Sequence, residues 1–358
     1  VDGISQADVT IQSAGSRGGN EIADDQAHHM NIIIALLPVL VFLLFLILMD
    51  SFKLVKIPFL VLCILWGMLC AVGSYFLNSY ILTATDVERQ VLSKYIAPAI
   101  EETLKMTAIL ILIRKGRIGF MIDGAIYGFG VGAGFALIEN IWYLSELNSA
   151  SLLLWAVRGF GTAIMHGGTT SAFSILLMQA FDKGTHKLAP ILYSLFAAIF
   201  IHSFFNHFVL PPVATMFFTL VIIAITEYVI FRYSEKNLRK WLELEFDSEV
   251  KLLMMIRKGQ FARTHAGEYI TAIKHRFSQM AVVDMLAYIA LYLELSIKAK
   301  SRLMLHEAGI PVIKDESVND RLSELKALEK NIGLTGILAI SPVLRISRRD
   351  LWKWSTLK

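Results

Sequence analysis

The segment Tyr95 to Ile113, YIAPAIEETLKMTAILILI, has the length and apolar character of a bilayer-spanning helix, yet it carries Glu101, Glu102 and Lys105 in its interior. A carboxylate near the centre of a membrane helix costs about 2.5–3.5 kcal/mol on insertion scales, so an adjacent pair is rarely retained for packing alone. Three further apolar segments each hold a comparable polar set: Glu139 with Asn140, His166 with Thr169 and Thr170, and His202 with Asn206.

The surrounding chain supports a membrane setting. It is 55% hydrophobic and 18% charged, with mean hydropathy +0.57, whereas an ordinary globular domain has about 25% charged residues. Apolar stretches near the ~20 residues needed to cross hydrocarbon fall at about 31–49, 57–78, 94–113, 118–144, 152–180, 188–209 and 211–232. The expected fold class is therefore all-α, a polytopic bundle of about seven spans. The fifth stretch is overlong and glycine-rich, so a tilt or break is expected there, and only the Pro211-Pro212 turn separates the last two.

Basic residues follow the first, third, fifth and seventh spans: Lys53 and Lys56; Arg114, Lys115 and Arg117; Lys183 and Lys187; Arg232, Lys236, Arg239 and Lys240. The positive-inside rule then predicts an external amino terminus and a cytoplasmic carboxyl terminus in the cell membrane. Residues 1–30 read as a flexible extracytoplasmic tail, 31–232 as the membrane domain and 233–358 as a cytoplasmic helical domain. In the last, Leu238, Leu242, Leu252 and Met255, then Met285, Tyr288, Ile289 and Tyr292, repeat at helical spacing. Gly309-Ile310-Pro311 should stop one long helix, with a second over Asp315 to Asn331. Gly333 to Val343 is apolar but too short to span. The basic tail Arg345 to Lys353, with Trp352 and Trp354, reads as a solvated cluster, membrane contact being the alternative. A start at Val1 fits a removed secretory leader or a trimmed chain.

Cys63 and Cys70 share one helix and read as small core residues, which argues against a disulfide scaffold or a thiolate metal site. The net charge of +4 is accounted for by Lys and Arg flanking the spans, and nothing marks a nucleic-acid binder.

Spacing links the polar sets. Glu101 and Lys105 are four apart in the order that favours an ion pair, while Glu102 points about 100° away. Gly124, Gly128, Gly132, Phe135 and Glu139 lie along one helix face, and small residues at this spacing let membrane helices approach closely. Arg158, Asp123, His207 and Glu227 fall nearer to span ends and read as interfacial. At 1.5 Å per residue, Glu101, Glu139 and His202 lie about 10, 6 and 10 Å below the outer ends of their spans, with His166 about 20 Å below Leu152. One site in the outer half of the membrane is expected.

The motifs Glu101-Glu102-x-x-Lys105, Phe135-x-x-x-Glu139-Asn140, His166-Gly-Gly-Thr-Thr and His202-x-x-x-Asn206 resemble those of PrsW-type glutamic intramembrane proteases, relatives of the prenyl-protein and bacteriocin-processing membrane proteases. The resemblance covers about Ser93 to Phe208. It implies peptide-bond hydrolysis by a glutamate-activated water with no obligatory cofactor or metal. Glu101, with Glu102 beside it, would supply the general base; His202 and Asn206 would stabilise the oxyanion; His166 and Glu139 would position water; Lys105, Phe135 and Asn140 would support them. The prenyl-protease branch has histidine where this chain has Glu139, which favours the PrsW branch. The implied partners are the lipid bilayer and a membrane-embedded protein substrate such as an anti-sigma factor. A zinc protease using Glu101, Glu102, Glu139, His166 and His202, and a proton-coupled transporter, are the competing readings.

Overall fold

The computed structural model describes residues 28–147, 151–182, 188–312 and 315–344, together with 353, 354 and 357. The expected tail at 1–30 thus lies almost wholly outside the described residues. The chain folds into α1 (His28–Leu48), α2 (Ile57–Ala84), α3 (Ala97–Arg114), α4 (Met121–Glu146), α5 (Leu152–Ala156), α6 (Ala163–Asp182), α7 (Leu188–Asn206), α8 (Pro212–Arg257), α9 (His265–Ile273), α10 (Gln279–Glu307) and α11 (Ser317–Leu344). Among the described residues there is no strand, in agreement with an all-α polytopic membrane protein.

Seven helices, α1, α2, α4, α7, α8, α10 and α11, are long and apolar enough to cross a bilayer. This set differs from the expected spans in two places. The charged residues of α3 exclude it, and the fifth stretch is divided by a π-helical segment, Val157–Thr162, between α5 and α6. Conversely, α10 and α11, from the segment expected to be cytoplasmic, meet the same criterion of length and composition.

Two compact units are present. The first comprises residues 1–47, 57–108 and 125–227; the second comprises 48–56, 109–124 and 228–358. The expected boundary at 232/233 is no break in secondary structure, because α8 runs through it as one helix.

In the first unit α4 is the central element, with 94% of its most apolar window buried. Its glycines set the distances to its neighbours. A Cβ on Gly134 would lie 2.0 Å from Ile64 O of α2, and one on Gly132 would lie 2.0 Å from His166 O of α6. The small face expected to lead to Glu139 therefore does so by backbone contact. On outer helices the apolar side chains point away from the protein: Phe196, Phe200 and Phe204, one turn apart on α7, are 69%, 60% and 60% exposed. Such a surface requires a lipid solvent. Cys63 and Cys70 are free and buried on α2, as expected of core residues.

In the second unit, α10 and α11 share an apolar core built on Met285, Ile289, Tyr292, Leu322 and Leu325. The expected stop after α10 occurs, with Gly309 at φ +70. The following helix runs past Asn331, and Gly333 at φ 71 kinks it. Of the basic tail, 345–352 lies outside the described residues, but Lys353 is 3% exposed and Trp354 packs edge-on against Tyr292. Lys353 is thus not a solvated side chain, and Trp354 is half-buried.

Candidate active site

The four polar sets come together inside the first unit. The rings of His166 and His202 meet edge to face with centroids 4.7 Å apart, and His202 Nε2 lies 3.8 Å from Glu101 Oε2. They wall a cavity of about 620 Å³ whose lining includes Asn78, Glu101, Glu139, His166, His202 and Asn206. The lining comes from the carboxyl-terminal ends of α2, α4 and α7 and the amino-terminal parts of α3 and α6. Because successive spans alternate in direction, these all lie toward one end of the bundle.

Lys105 is the centre of the network and is fully buried. Its Nζ lies 2.8 Å from Glu102 Oε1, 2.9 Å from His166 Nδ1 and 4.1 Å from the centroid of the Phe135 ring. The expected Glu101–Lys105 pair is thus replaced by Glu102–Lys105, three residues apart. Both spacings bring side chains together on a helix; the positions of Phe135 and His166 on neighbouring helices select the second. An ammonium only donates, so His166 Nδ1 accepts and its Nε2–H points to Glu139 Oε2, 3.0 Å away.

The two adjacent glutamates therefore differ. Glu102 Oε1 also receives His202 Nδ1 at 2.8 Å and has Thr169 Oγ1 at 3.2 Å, and the residue is 2% exposed. Among the described residues Glu101 has, besides His202 Nε2, one long contact from Asn78 Nδ2 to Oε1, 3.5 Å, and it lines the cavity. Chemically, Glu102 is a fixed acceptor that orients Lys105 and His202, while Glu101 is left with lone pairs to spare.

Glu139 is held by Arg158 as well, with Nη2 at 3.3 Å. Arg158 Nε donates to Asn140 Oδ1 at 2.9 Å, its guanidinium lies 3.7 Å from the Tyr143 ring centroid, and Asn140 Nδ2 donates to Ala35 O of α1. Arg158 sits in the π-helical segment before α6, and such wide turns often occur at functional sites. Reading Arg158 as interfacial missed this role; the excess length of the fifth stretch was the available signal, and it also accounts for the apparent extra depth of His166. Asn206 lines the cavity with Nδ2 donating to Ser93 O at 3.0 Å.

The other residues read as interfacial are partly corrected. Asp123 is buried and accepts from the backbone N–H groups of Gly119, Phe120 and Gly124 at the start of α4. Glu227 is 3% exposed and accepts from Ser171 Oγ. His207 bonds Ser203 O and Tyr95 Oη near the end of α7.

Ligand atoms of Glu101, His166 and His202 lie within 4.8 Å of one another, close enough to raise a metal site. The hydrogen bonds do not suit it. His166 has one nitrogen against the Lys105 ammonium and the other donating to Glu139, so it has no free lone pair. Of these three, Glu101 and His202 Nε2 remain, fewer than the three protein ligands usual in a catalytic zinc site.

A search of curated proteins and one of solved structures find no match to the chain. Residues 56–231, which contain every side chain of this cluster except the α1 carbonyl that holds Asn140, match the family described as PrsW family intramembrane metalloprotease. Residues 56–231 are thus a segment of the PrsW family of intramembrane proteases.

Proposed function

We propose that this protein cuts a peptide bond of a membrane-embedded protein by means of a water activated by Glu101, without a metal in the chemical step. The observation that carries the reading is the asymmetry of the glutamate pair: Glu102 is occupied by Lys105 and His202, whereas Glu101 faces the cavity opposite His202 Nε2.

Three carboxylates (Glu101, Glu102, Glu139) share the site with two basic side chains, Lys105 and Arg158. One further proton makes the group neutral, and a neutral group suits a low-dielectric surrounding. Glu101 and His202 Nε2 are the acceptors left to hold it. With that proton on His202, Glu101 takes a proton from water as the water oxygen attacks the scissile carbonyl carbon. The oxyanion is then met by His202 Nε2–H and by the second amide hydrogen of Asn206; one such donor is worth about 2.7–4 kcal/mol in other hydrolases. As the C–N bond breaks, Glu101 returns its proton to the leaving nitrogen. His166 and Glu139, locked by Lys105 and Arg158, fix the wall on which the water sits.

The Lys and Arg distribution favours placing the cavity end of the bundle toward the outer face, with the carboxyl terminus on the cytoplasmic side. A single-span protein such as an anti-sigma factor suits that site. The decisive test is co-expression with candidate single-span substrates: wild type cleaves, Glu101→Gln and His202→Ala do not, and both variants remain inserted. Full cleavage by Glu101→Gln would rule out the assignment.

A further inference from the structure

One polar atom at the cavity has no role in the scheme above. Asn78, on α2 and outside the motif helices, lines the cavity beside Glu101, His166 and His202. Its Nδ2 points to Glu101 Oε1, while its Oδ1 is buried with no hydrogen-bond partner among the described residues. A buried acceptor left unpaired is costly, so an amide oxygen in this position is matched to a donor that arrives from elsewhere.

Resting on the proposed function, we infer that Asn78 is a substrate-binding residue whose Oδ1, buried at rest, turns into the cavity to accept a backbone N–H of the polypeptide beside the bond to be cut. The substrate's own chemistry supplies the donor. A membrane-spanning segment satisfies its backbone groups within its helix, and cleavage requires that helix to unwind near the scissile bond. Unwinding frees N–H groups in a low-dielectric cavity, where each needs an acceptor. Asn78 Oδ1 is an acceptor in need of a donor. Water held for attack is a poorer occupant, because Glu101 faces His202 through Oε2 and Asn78 through Oε1, so the two lie on different oxygens of the base.

The test uses the full chain in micelles and a single-span polypeptide that the wild type cuts. In a substrate series, one backbone N–H at a time near the cut is replaced by an ester oxygen. Asn78→Ala should lower kcat/KM about tenfold to a hundredfold, the loss expected for one hydrogen bond whose partner is left buried, with an unfolding midpoint close to wild type. One ester position should cost the wild type a similar factor and cost Asn78→Ala nothing further. Equal losses in both proteins at every ester position would overturn the inference while leaving Glu101 as base. Wild-type rates of cleavage by Glu101→Gln would overturn the reading on which it rests, and this inference with it.

Discussion

Lys105 Nζ lies 2.8 Å from Glu102 Oε1 and leaves Glu101, one turn away, to face His202 Nε2 at 3.8 Å instead. That choice separates two residues identical in type. The carboxylate bound to Lys105 and His202 has one oxygen taken by three donors, and the one that faces the cavity has the freedom a general base needs.

The first prediction follows from this separation. Glu101→Gln should lose at least a thousandfold in kcat with little change in stability, because among the described residues it accepts a single hydrogen bond, the long one from Asn78. Glu102→Gln should lose activity and also destabilise the protein, since it removes the charge opposite a fully buried Lys105. Breaking a buried pair in this way costs about 3–5 kcal/mol. Parallel cleavage assays and thermal unfolding in micelles check both; equal stability losses would show the two glutamates to be equivalent.

Arg158 carries the second prediction. Its planar fork reaches Glu139, Asn140 and the Tyr143 face together, a geometry lysine does not reproduce. Arg158→Lys should therefore lose most of the activity that Arg158→Ala loses, about tenfold to a hundredfold, the range seen when groups that orient active-site ligands are removed. A lysine variant with wild-type kcat would show that charge alone suffices.

Metal removal separates the two chemistries open to the family. With His166 committed to Lys105 and Glu139, cleavage should persist in protein dialysed against a strong chelator, and elemental analysis should find less than one zinc per chain. Activity lost on chelation and restored by zinc would overturn the metal-independent step.

The sequence made most of this site readable because polar side chains in apolar helices are costly and therefore informative. That ground alone singles out Glu101, Glu102, Glu139, His166 and His202, which the fold brings together. It leaves their partners open: helical spacing permits Lys105 to meet either glutamate, and the decision lies with Phe135 and His166 on other helices. Arg158 lies near the start of the fifth stretch, where a basic residue reads as a membrane anchor; the π-helical segment that carries it has no simple sequence signature. Asn78 lies in a span with no other strongly polar residue near it, and its significance depends on the distance to Glu101. The burial of Glu227 against Ser171 is illegible for a similar reason, since it too depends on a neighbouring helix.

Asp50 allows a prediction outside the membrane spans. It is 2% exposed, and burial pushes its carboxyl up from the ordinary carboxylate value, against the pull of backbone N–H bonds from Val55 and Leu54 and of nearby Lys53 and His306. A carboxyl raised in the folded state stabilises it most below the unfolded value and loses that contribution as pH rises through the folded one. Asp50→Asn keeps the shape without the charge. The variant should unfold at a higher temperature than wild type at pH 8, with the gap closing toward pH 4; each kcal/mol corresponds to about 2–4 °C in a unit of this size. A gap that widens on acidification would reverse the sign and refute the assignment.

The close contact between α4 and α6 gives the last prediction, which separates packing from chemistry. A Cβ at Gly132 would lie 2.0 Å from His166 O, and the nearby atoms are backbone, which cannot rotate away. Gly132→Ala must therefore push α6 outward, and α6 carries His166 with its bonds to Lys105 and Glu139. Overpacking of this kind costs about 1–3 kcal/mol, and misplacing a catalytic group by 1 Å can cost about a hundredfold in rate. At Gly73 the nearest atom to an added Cβ is Leu104 Cδ1 at 3.9 Å, so Gly73→Ala on the same fold should leave both stability and cleavage near wild type. Unfolding and cleavage measured on the two variants would distinguish a site that depends on the α4–α6 distance from one that tolerates its change: equal activity in both would mean that His166 need not be held where Lys105 and Glu139 now hold it.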